Sequence, residues 1–310
     1  MLSIITPVYN EELNVTNCAQ SLKVYMAKNF PSLEYEHIFA DNCSTDTTVE
    51  ILRKLASKNR NIKVILNSRN VGPFRSMWNA LKSSSGDAVI PFLPADLQDP
   101  IDVISEFIRG WEQGYLVVYG VRSNRQEGLF IRTCRNFYYR IISRFAEGYI
   151  PRNVGEFLIA DRKVIDSILS VDDHYPYIRG LIAQTGVKSK EISYTWVKRD
   201  KGKSKLNFIQ LVDQAVNGFV STSKIPARIS LILGFISSFI GIAGAFISLI
   251  LVLVGHKNVA AGIPTIIISI FFFSGLQLFF IGIVGEYVLS IHGQVRRTPP
   301  MFELEKINFK

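Results

Sequence analysis

The sequence predicts an α/β protein with a mostly parallel sheet in its N-terminal part and a C-terminal hairpin of two transmembrane helices. Through about the first 200 residues, short apolar runs alternate with amphipathic stretches, which is the pattern of strand–helix units in a parallel sheet. Residues 229–254 and 259–284 carry no charged side chain, and each run exceeds the ~20 residues that a membrane-spanning helix needs. Their length and lack of charge disfavour the alternative, a pair of buried core helices.

Five apolar runs are predicted as strands, and four stretches between them are predicted as helices. The predicted strands are Leu2–Val8, His37–Asp41, Ile62–Asn67, Ala88–Leu93 and Leu116–Val121. The predicted helices are Glu12–Lys28, Thr45–Asn59, Phe74–Ser83 and Ile101–Gln113. Because ligands bind open α/β sheets at the carboxyl ends of the strands, we expect the site among the polar residues that follow each strand. These are Tyr9–Glu11, Asp41–Asp46, Arg69–Gly72, Asp96–Asp99 and Arg122.

The chain divides by composition into four segments. They are the α/β domain at 1–205, an amphipathic helix at 206–228, the two spans at 229–291 and a tail at 292–310. The amphipathic helix either packs on the domain or lies in the membrane interface, and its position beside a span favours the interface. Basic residues flank the spans on the side of the domain and the tail, whereas the turn between them holds only Lys257. The positive-inside rule then places the domain and the tail in the cytoplasm.

The composition of the chain limits the classes of molecule that we expect it to bind. The formal net charge of +9 over 310 residues suits anionic substrates or an anionic lipid surface, and it also fits the positive flanks of membrane segments. We expect no nucleic-acid partner, because no matching motif occurs and the basic residues flank apolar helices. The three cysteines have spacings of neither a metal site nor a disulfide framework. Glycines along the spans permit close helix packing, from which we expect a homo-oligomer.

Carboxylates follow the second and the fourth predicted strands. The segment Asp41–Asp46 could help to hold a base and a ribose by hydrogen bonds, or it could be a loop that caps the next helix through Ser44 or Thr45. Asp96 and Gln98 lie two residues apart at the expected cleft, and carboxylates are the usual ligands of protein-bound Mg²⁺. The pair Asp99-Pro100 has instead the pattern of a helix N-cap followed by proline at the first helical position.

Four short motifs occur in an order that is typical of one family. They are Pro7-Val8-Tyr9-Asn10-Glu11, Asp-x-x-Ser-Thr-Asp at 41–46, Arg69-Asn70-Val71-Gly72 and Ala95-Asp96-Leu97-Gln98-Asp99-Pro100. Together they resemble the inverting family-two glycosyltransferases, which have the Rossmann-like GT-A fold. With a basic loop at 199–205, the resemblance spans residues 4–205. The two spans make the chain similar to the polyprenyl phosphate glycosyltransferases, which include dolichol phosphate mannose synthase and bacterial bactoprenol glucosyltransferases.

This resemblance implies a nucleotide-sugar donor, a divalent cation (Mg²⁺ or Mn²⁺) and a set of donor-binding residues. The donor-binding residues are Pro7, Tyr9, Glu11, Asp41, Asn42, Asp96, Arg199 and Lys205. Asp96 is also implied as a catalytic residue, and with Gln98 as a metal ligand. The loop 199–205 is similar to the family's diphosphate-binding Arg-x-x-Gly-x-Ser-Lys, although it also fits a solvated basic loop. Two departures stand out, because Pro94 replaces the first Asp of the family's Asp-Ala-Asp and Asn42 replaces the commoner Asp.

The implied acceptor is a polyprenyl phosphate in the membrane. We expect UDP-hexose and undecaprenyl phosphate as substrates, with GDP-mannose and UDP-aminoarabinose as alternative donors. A phosphate monoester is largely dianionic at neutral pH, so it can attack without a strong base, but the site must hold two anions close together. Because arginine suits phosphate recognition, we expect Arg122, Arg132 and Arg135 at the lipid phosphate. Glu156, where relatives often carry Asp, is expected as a catalytic residue that orients the acceptor or acts as base.

Two other functions remain open. A processive polysaccharide synthase on the same fold usually carries a Gln-x-x-Arg-Trp motif and more spans, and the sequence has no such motif. A non-catalytic membrane scaffold built on a degenerate domain is suggested by Pro94 alone. The size of the product distinguishes the first from a transferase of single sugars, and nucleotide-sugar binding without turnover would identify the second.

Overall fold

The fold is seen in a computed structural model, which describes residues 1–124, 154–171, 173, 176–197, 232–237, 239–240, 243, 250, 263–295 and 301–309. The chain forms two compact units. One comprises Met1–Leu211 with Arg297–Lys310, and the other comprises Val212–Arg296. The sheet belongs to the first unit, and a long apolar helix belongs to the second.

The described part of the first unit contains an eight-stranded sheet. Its strands are β1 (Leu2–Val8), β2 (Tyr35–Asp41), β3 (Ile62–Asn67), β4 (Ala88–Ile90), β5 (Val117–Asn124), β6 (Val154–Asp161), β7 (Ser189–Thr195) and β8 (Glu303–Ile307). Their order across the sheet is β7-β5-β6-β4-β1-β2-β3-β8. The central strands β4, β1, β2 and β3 are all parallel, so their carboxyl ends share one edge.

The sheet as a whole is mixed rather than uniformly parallel. Strand β5 is parallel to β7, whereas β6 runs antiparallel to both β4 and β5, and β8 runs antiparallel to β3. The α/β class is therefore confirmed, and the prediction of a mostly parallel sheet holds for its centre. Because β6 is antiparallel to β4, the first residues of β6 lie toward the carboxyl end of β4.

Helices cover both faces of the sheet. They are α1 (Val15–Asn29), α2 (Thr48–Lys58), α3 (Pro73–Ser83), α4 (Val103–Glu112), α5 (Arg162–Leu169) and α6 (Ile178–Gln184). Apolar side chains of α1, α2 and α4 pack on one face, and those of α3, α5 and α6 pack on the other. Burial on both faces explains why apolar residues stand at successive positions of the central strands, as in Ile4-Ile5 of β1 and Ile38-Phe39-Ala40 of β2, rather than at alternate ones.

The predicted strands and helices of the first 124 residues all exist, with small differences at their ends. Strands β1 and β3 have the predicted bounds. Strand β4 is shorter than predicted and ends at Ile90, because Pro91 has no backbone N–H to donate to a neighbouring strand. The chain nevertheless stays beside β1, where Leu93 N donates to Ile5 O at 2.8 Å, and this contact carries the following loop to the sheet edge.

A strand that the sequence analysis did not predict lies within the segment 292–310. Residues Glu303–Ile307 form β8 at the edge of the sheet. The side chain of Asn308 donates to the carbonyls of Ala56 and Ile62 at 2.8 Å each, and Phe309 packs against the core. The end of the chain is therefore part of the α/β unit, although it follows the apolar helix in sequence.

The second unit contains α7 (Ile263–Val295), a 33-residue helix with no Asp, Glu, Lys or Arg except Glu286. Within it, Phe272–Leu289 is long and apolar enough to cross a membrane, and it is the one such helix among the described residues. The predicted amphipathic helix at 206–228 and most of the first predicted span lie outside the described residues. A two-helix hairpin is therefore not shown.

Candidate active site

The loops after β1 and β2 are held together by a network of hydrogen bonds. Asn10 N donates to Ser44 Oγ at 2.9 Å, and Thr45 N donates to Asn10 Oδ1 at 2.7 Å. Glu11 N donates to Thr48 Oγ1 at 2.9 Å. These contacts join the first two sequence motifs at the carboxyl-end edge of the sheet.

Asp41 and Asn42 are buried at the end of β2. Asp41 accepts hydrogen bonds from the hydroxyl and the backbone N–H of Ser44, at 2.5 and 3.0 Å. Burial raises the pKa of the Asp41 carboxyl, and the bonds from Ser44 oppose this effect without cancelling it. The side chain of Asn42 donates to Gly72 O at 3.0 Å, so it ties the third motif to the first two.

The 41–46 loop does lead into a helix, although not with the predicted caps. Helix α2 begins at Thr48, and Thr48 N donates to Asp46 Oδ1 at 3.0 Å. Thr47 N donates to Glu12 Oε2 at 3.2 Å. The carboxylates of Asp46 and Glu12 therefore cap α2, and the prediction of Ser44 or Thr45 as the cap is wrong, since both contact Asn10.

Three residues at this edge have a left-handed backbone. Asn10 has a φ of 53°, Cys43 a φ of 64° and Leu97 a φ of 55°, and they lie in the loops after β1, β2 and β4 respectively. Non-glycine residues with positive φ are uncommon, and the strain they store concentrates at functional sites. The strained positions therefore mark the same edge as the sequence motifs.

Asp96 and Gln98 flank the strained Leu97 in the loop after β4. Both are partly exposed, and Gln98 N donates to Asp96 Oδ1 at 3.3 Å. Gln98 O accepts a hydrogen bond from Val197 N at 3.0 Å, so the segment after β7 runs beside this loop. The predicted metal ligands thus lie at the carboxyl-end edge, as do the residues predicted to bind the donor after β1 and β2.

Asp99 is not the N-cap that its sequence pattern predicts. Helix α4 begins at Val103 with Asp102 at its N-cap. The carboxylate of Asp99 is fully buried and pairs with Arg122, through Nε to Oδ1 at 3.0 Å and Nη2 to Oδ2 at 2.8 Å. Tyr194 also donates its hydroxyl to Asp99 Oδ1 at 2.5 Å.

Arg122, expected at the lipid phosphate, has its charge balanced by Asp99. Burial alone would lower the pKa of Arg122, but the carboxylate of Asp99 outweighs burial and raises it. The guanidinium carbon lies 5.7 Å from the centre of the Trp196 ring. A Cβ at Gly155 would lie 3.2 Å from Arg122 Nη2, so glycine leaves room for the guanidinium there. The structure thus gives Arg122 a buried partner that the sequence did not reveal.

Glu156 lies on β6, one residue beyond Gly155, and it too is buried. Its Oε2 lies 3.5 Å from Nη1 of Arg179 on α6. Neither Arg179 nor Tyr194 was predicted as a site residue. Tyr194 lies in a strand of alternating burial, but no local pattern connects either residue to its distant carboxylate.

The other predicted residues fall into two groups. Pro7, Tyr9 and Glu11 lie at or just after the end of β1, where all three are partly exposed. Glu11 Oε2 accepts a hydrogen bond from Asn14 Nδ2 at 2.6 Å. Arg132, Arg135, Arg199 and Lys205 lie outside the described residues, so their roles stay predictions.

The fold and the candidate site together indicate the class of protein. Parallel central strands whose polar, strained loops gather at the carboxyl-end edge are the arrangement of an α/β nucleotide-binding protein. Comparison with known proteins gives the family, since residues 3–169 match the model of Glycosyl transferase family 2. The chain belongs to this family, and it is a glycosyltransferase of the GT-A fold. The resemblance drawn from the motifs is confirmed.

Relatives extend the similarity beyond the family domain. A bactoprenol glucosyl transferase derived from prophage SfII of Shigella flexneri is 30% identical over 300 residues, which cover 96% of each chain. An uncharacterized glycosyltransferase of Bacillus subtilis (strain 168) is 32% identical over 298 residues, covering 96% of this chain and 91% of the relative.

Among solved structures, the mannosyltransferase PcManGT from Pyrobaculum calidifontis, in complex with GDP-Man and Mn²⁺, is 14% identical. It has a TM-score of 0.48, with 96% of this chain and 88% of that chain covered. So small a likeness adds nothing to the family assignment, which rests on the sequence.

Proposed function

We propose that this enzyme transfers a single sugar from a nucleotide-sugar to a polyprenyl phosphate, with UDP-hexose and undecaprenyl phosphate as the favoured substrates. The extent of the similarity to a bactoprenol glucosyl transferase carries this proposal. That match covers 96% of both chains, whereas the family model ends at residue 169. The shared remainder includes most of α7, and a lipid acceptor explains why a transferase domain is joined to such a helix.

The donor site is proposed at the carboxyl-end edge of β1, β2 and β4. Tyr9, Glu11, Asp41 and Asn42 would bind the nucleotide there, with Pro7 at the end of β1. The hydrogen bonds that link Asn10 to the 41–46 loop, and Asn42 to Gly72, support a preformed site. A preformed site loses less conformational entropy when a ligand binds.

Asp96 and Gln98 fit a hard divalent cation, Mg²⁺ or Mn²⁺, because they offer one carboxylate and one amide oxygen. No group of three or more His, Cys, Asp or Glu that could hold a metal ion occurs in the part of the chain that the structure describes. Asp96 and Gln98 would hold the proposed cation together with oxygens of the donor diphosphate, since Mg²⁺ in proteins usually combines one or two carboxylates with substrate phosphates. When bound, it would stabilise the charge that develops on the leaving nucleoside diphosphate.

The attacking group is the phosphate of the lipid. Because its dianion carries no proton to remove at neutral pH, the reaction needs no strong general base. The protein must instead hold two anions near each other. We assign Arg199 and Lys205 to the donor diphosphate and Arg132 and Arg135 to the lipid phosphate. In-line attack then inverts the configuration at the anomeric carbon.

Arg122 takes a different part in this proposal from the one expected from sequence. Its bidentate pair with Asp99 balances its charge and leaves it poorly suited to be the main ligand of a second anion. It joins β5 to the loop that carries Asp96, so we assign it to holding that loop in place.

Membrane attachment through the C-terminal region is part of the proposal. The side chains of α7 whose exposure is described are mostly exposed and apolar, which suits a lipid environment. The amphipathic segment at 206–228 would lie in the interface. The distribution of basic residues supports a cytoplasmic active site, and the glycines of the spans support a homo-oligomer.

The proposal is tested by nucleotide release from a panel of nucleotide-sugars, with full-length protein in detergent, undecaprenyl phosphate and Mg²⁺. We expect release that requires the lipid and falls at least about 100-fold in Asp96→Ala, because a metal ion is worth several kcal/mol of charge stabilisation. Asp102→Ala is the matched control, since Asp102 is exposed and its side chain makes no capping hydrogen bond.

Two results would contradict the proposal. Release that does not depend on lipid would exclude a polyprenyl phosphate acceptor, and a normal rate in Asp96→Ala would exclude Asp96 as an essential ligand. Nucleotide binding without release from any donor would favour the non-catalytic scaffold, for which Pro94 is the sequence argument.

A further inference from the structure

Two buried carboxylates, those of Asp99 and Glu156, lie toward the carboxyl end of β4. They differ in how many of their oxygens have a hydrogen-bond partner. Both oxygens of Asp99 accept hydrogen bonds from Arg122 or Tyr194. In Glu156, Oε2 faces Arg179, but Oε1 is buried and has no hydrogen-bond partner among the residues that the structure describes. A buried polar atom without a partner costs about 1–3 kcal/mol, so an unsatisfied oxygen in a native site calls for an explanation.

Arg179 contacts the Oε2 atom of the Glu156 carboxylate. Its Nη1 donates to Val154 O at 2.7 Å and lies 3.5 Å from Glu156 Oε2. Its Nε donates to the hydroxyl of Tyr177 at 2.6 Å, and its guanidinium carbon lies 4.9 Å from the centre of the Tyr177 ring. Arg179 therefore joins α6 to the first residues of β6 and restrains the Glu156 carboxylate through one oxygen.

The position of Glu156 places it at the reaction edge. Strand β6 is antiparallel to β4, with Asp161 opposite Ala88, so Glu156 lies toward the carboxyl end of β4, where the Asp96 loop begins. The preceding residue, Gly155, adjoins Arg122, and Arg122 pairs with Asp99 of that loop. Glu156 therefore lies at the same edge of the sheet as the loop of the proposed metal ligands, and its side chain projects from the face that also carries Val154 and Leu158.

The chemistry of a carboxylate limits what can bind Oε1. An ionised carboxylate only accepts hydrogen bonds, and it repels the phosphates of both substrates. A dianionic lipid phosphate has no proton to donate, which argues against the expected role of Glu156 as a base or as a ligand of the acceptor. The hydroxyls of the transferred sugar are neutral donors and are the groups that fit.

We propose that Glu156 Oε1 accepts a hydrogen bond from a hydroxyl of the transferred sugar, and that Arg179 is the positioning residue that holds Glu156 for this contact. This inference rests on the proposed function. It makes the Glu156–Arg179 pair a determinant of donor specificity, because a site built to bind a hydroxyl rejects analogues that lack it.

The test measures kcat and KM for the preferred hexose donor, and for its deoxy analogues, in Glu156→Gln, Arg179→Gln, Arg179→Lys and the double Gln variant. We expect Arg179→Gln to lower kcat/KM for the donor about 10- to 100-fold, and Arg179→Lys to restore part of the loss. The double variant should be no worse than Glu156→Gln alone, because Arg179 acts through Glu156. For at least one deoxy donor, the ratio of kcat/KM for the hexose donor to kcat/KM for the analogue should be smaller in Glu156→Gln and Arg179→Gln than in the unaltered enzyme.

Arg162→Gln is the matched control. Arg162 is similarly buried, and its Nε donates to Gly86 O at 2.8 Å, but Gly86 lies before β4 at the opposite edge of the sheet. The Arg162→Gln variant should discriminate between donors as the unaltered enzyme does. Melting temperatures should show that every variant is folded.

Losses that multiply in the double variant, or discrimination that is unchanged in Arg179→Gln, would overturn the inference and give Arg179 a structural role only. An unaltered enzyme that transfers no sugar to lipid would instead contradict the proposed function, so the two failures are distinguishable.

Discussion

Asp99 illustrates how a single buried residue organises this site. It carries a negative charge out of water, and it is stabilised by a bidentate arginine and a short bond from Tyr194. Burial and the charge of Asp99 raise the pKa of the Tyr194 hydroxyl, which therefore stays protonated and available to donate. Because Asp99 is in β4's loop, Arg122 in β5 and Tyr194 in β7, the cluster fixes the loop against two strands.

We predict that Asp99→Asn destabilises the protein by about 3–5 kcal/mol, because it leaves the charge of Arg122 buried and unpaired. Tyr194→Phe should cost less, about 1.5–3 kcal/mol, because it removes the hydroxyl that donates to Asp99 and accepts from Arg122 Nε but leaves the ion pair in place. Asp102→Asn, at an exposed position three residues away, should change stability by less than about 0.5 kcal/mol. Thermal melting of the detergent-solubilised protein measures all three, and equal stability of Asp99→Asn and Asp102→Asn would contradict the assignment.

At the scale of elements, the sequence predicts those strands and loops that depend on residues close together in the chain. Strands β1 and β3 have the predicted bounds because each is a short apolar run that ends in polar residues. The loops that follow β1, β2 and β4 meet at one edge, as the rule for parallel strands requires. Whether these residues bind the donor stays a prediction.

Elements that form only through contacts with residues far away in the sequence cannot be predicted from local patterns. Strand β8 has the sequence Glu-Leu-Glu-Lys-Ile, and charged residues are typical of an exposed edge strand but equally of a solvated tail. Only its pairing with β3, far back in the chain, makes it a strand. The local pattern Asp-Pro predicts a helix cap at Asp99 for the same reason, because the partners that Asp99 has in the fold lie far away in sequence, on β5 and β7.

Glu36 joins several elements at the opposite edge of the sheet. It is buried on β2 and accepts hydrogen bonds from Ser3 of β1 at 2.5 Å and from Ser85 N, before β4, at 2.6 Å. It also pairs with Lys63 of β3 at 2.5 Å. Burial alone would raise the pKa of Glu36, but Lys63, Ser3 and Ser85 together outweigh burial and lower it.

A lowered pKa in the folded state means that Glu36 stabilises the protein above the unfolded value of about 4.3, and that this contribution is lost as the pH falls further. We predict that Glu36→Gln lowers stability by about 3–5 kcal/mol at pH 7, and that the difference from the unaltered protein shrinks below about pH 4.3. Melting curves at several pH values test this. Glu34→Gln is the control, because Glu34 is exposed, and a pH-independent cost of Glu36→Gln would be the contrary result.

The whole molecule combines a glycosyltransferase domain with a long apolar helix. In sequence, α7 lies between two parts of the α/β unit, the second of which contains β8. The net charge of +9 suits an enzyme that brings two phosphate-bearing substrates together at an anionic membrane surface. Both features follow from one proposed reaction, the transfer of a sugar to a lipid phosphate.

Mass analysis of the lipid product tests this central claim most directly. After incubation of the full-length enzyme with undecaprenyl phosphate, Mg²⁺ and the donor that supports nucleotide release, the lipid should gain the mass of one sugar, and Asp96→Ala should give no such product. A ladder of added sugars would indicate a processive synthase. Free sugar with unmodified lipid would show that water is the acceptor and would contradict the account.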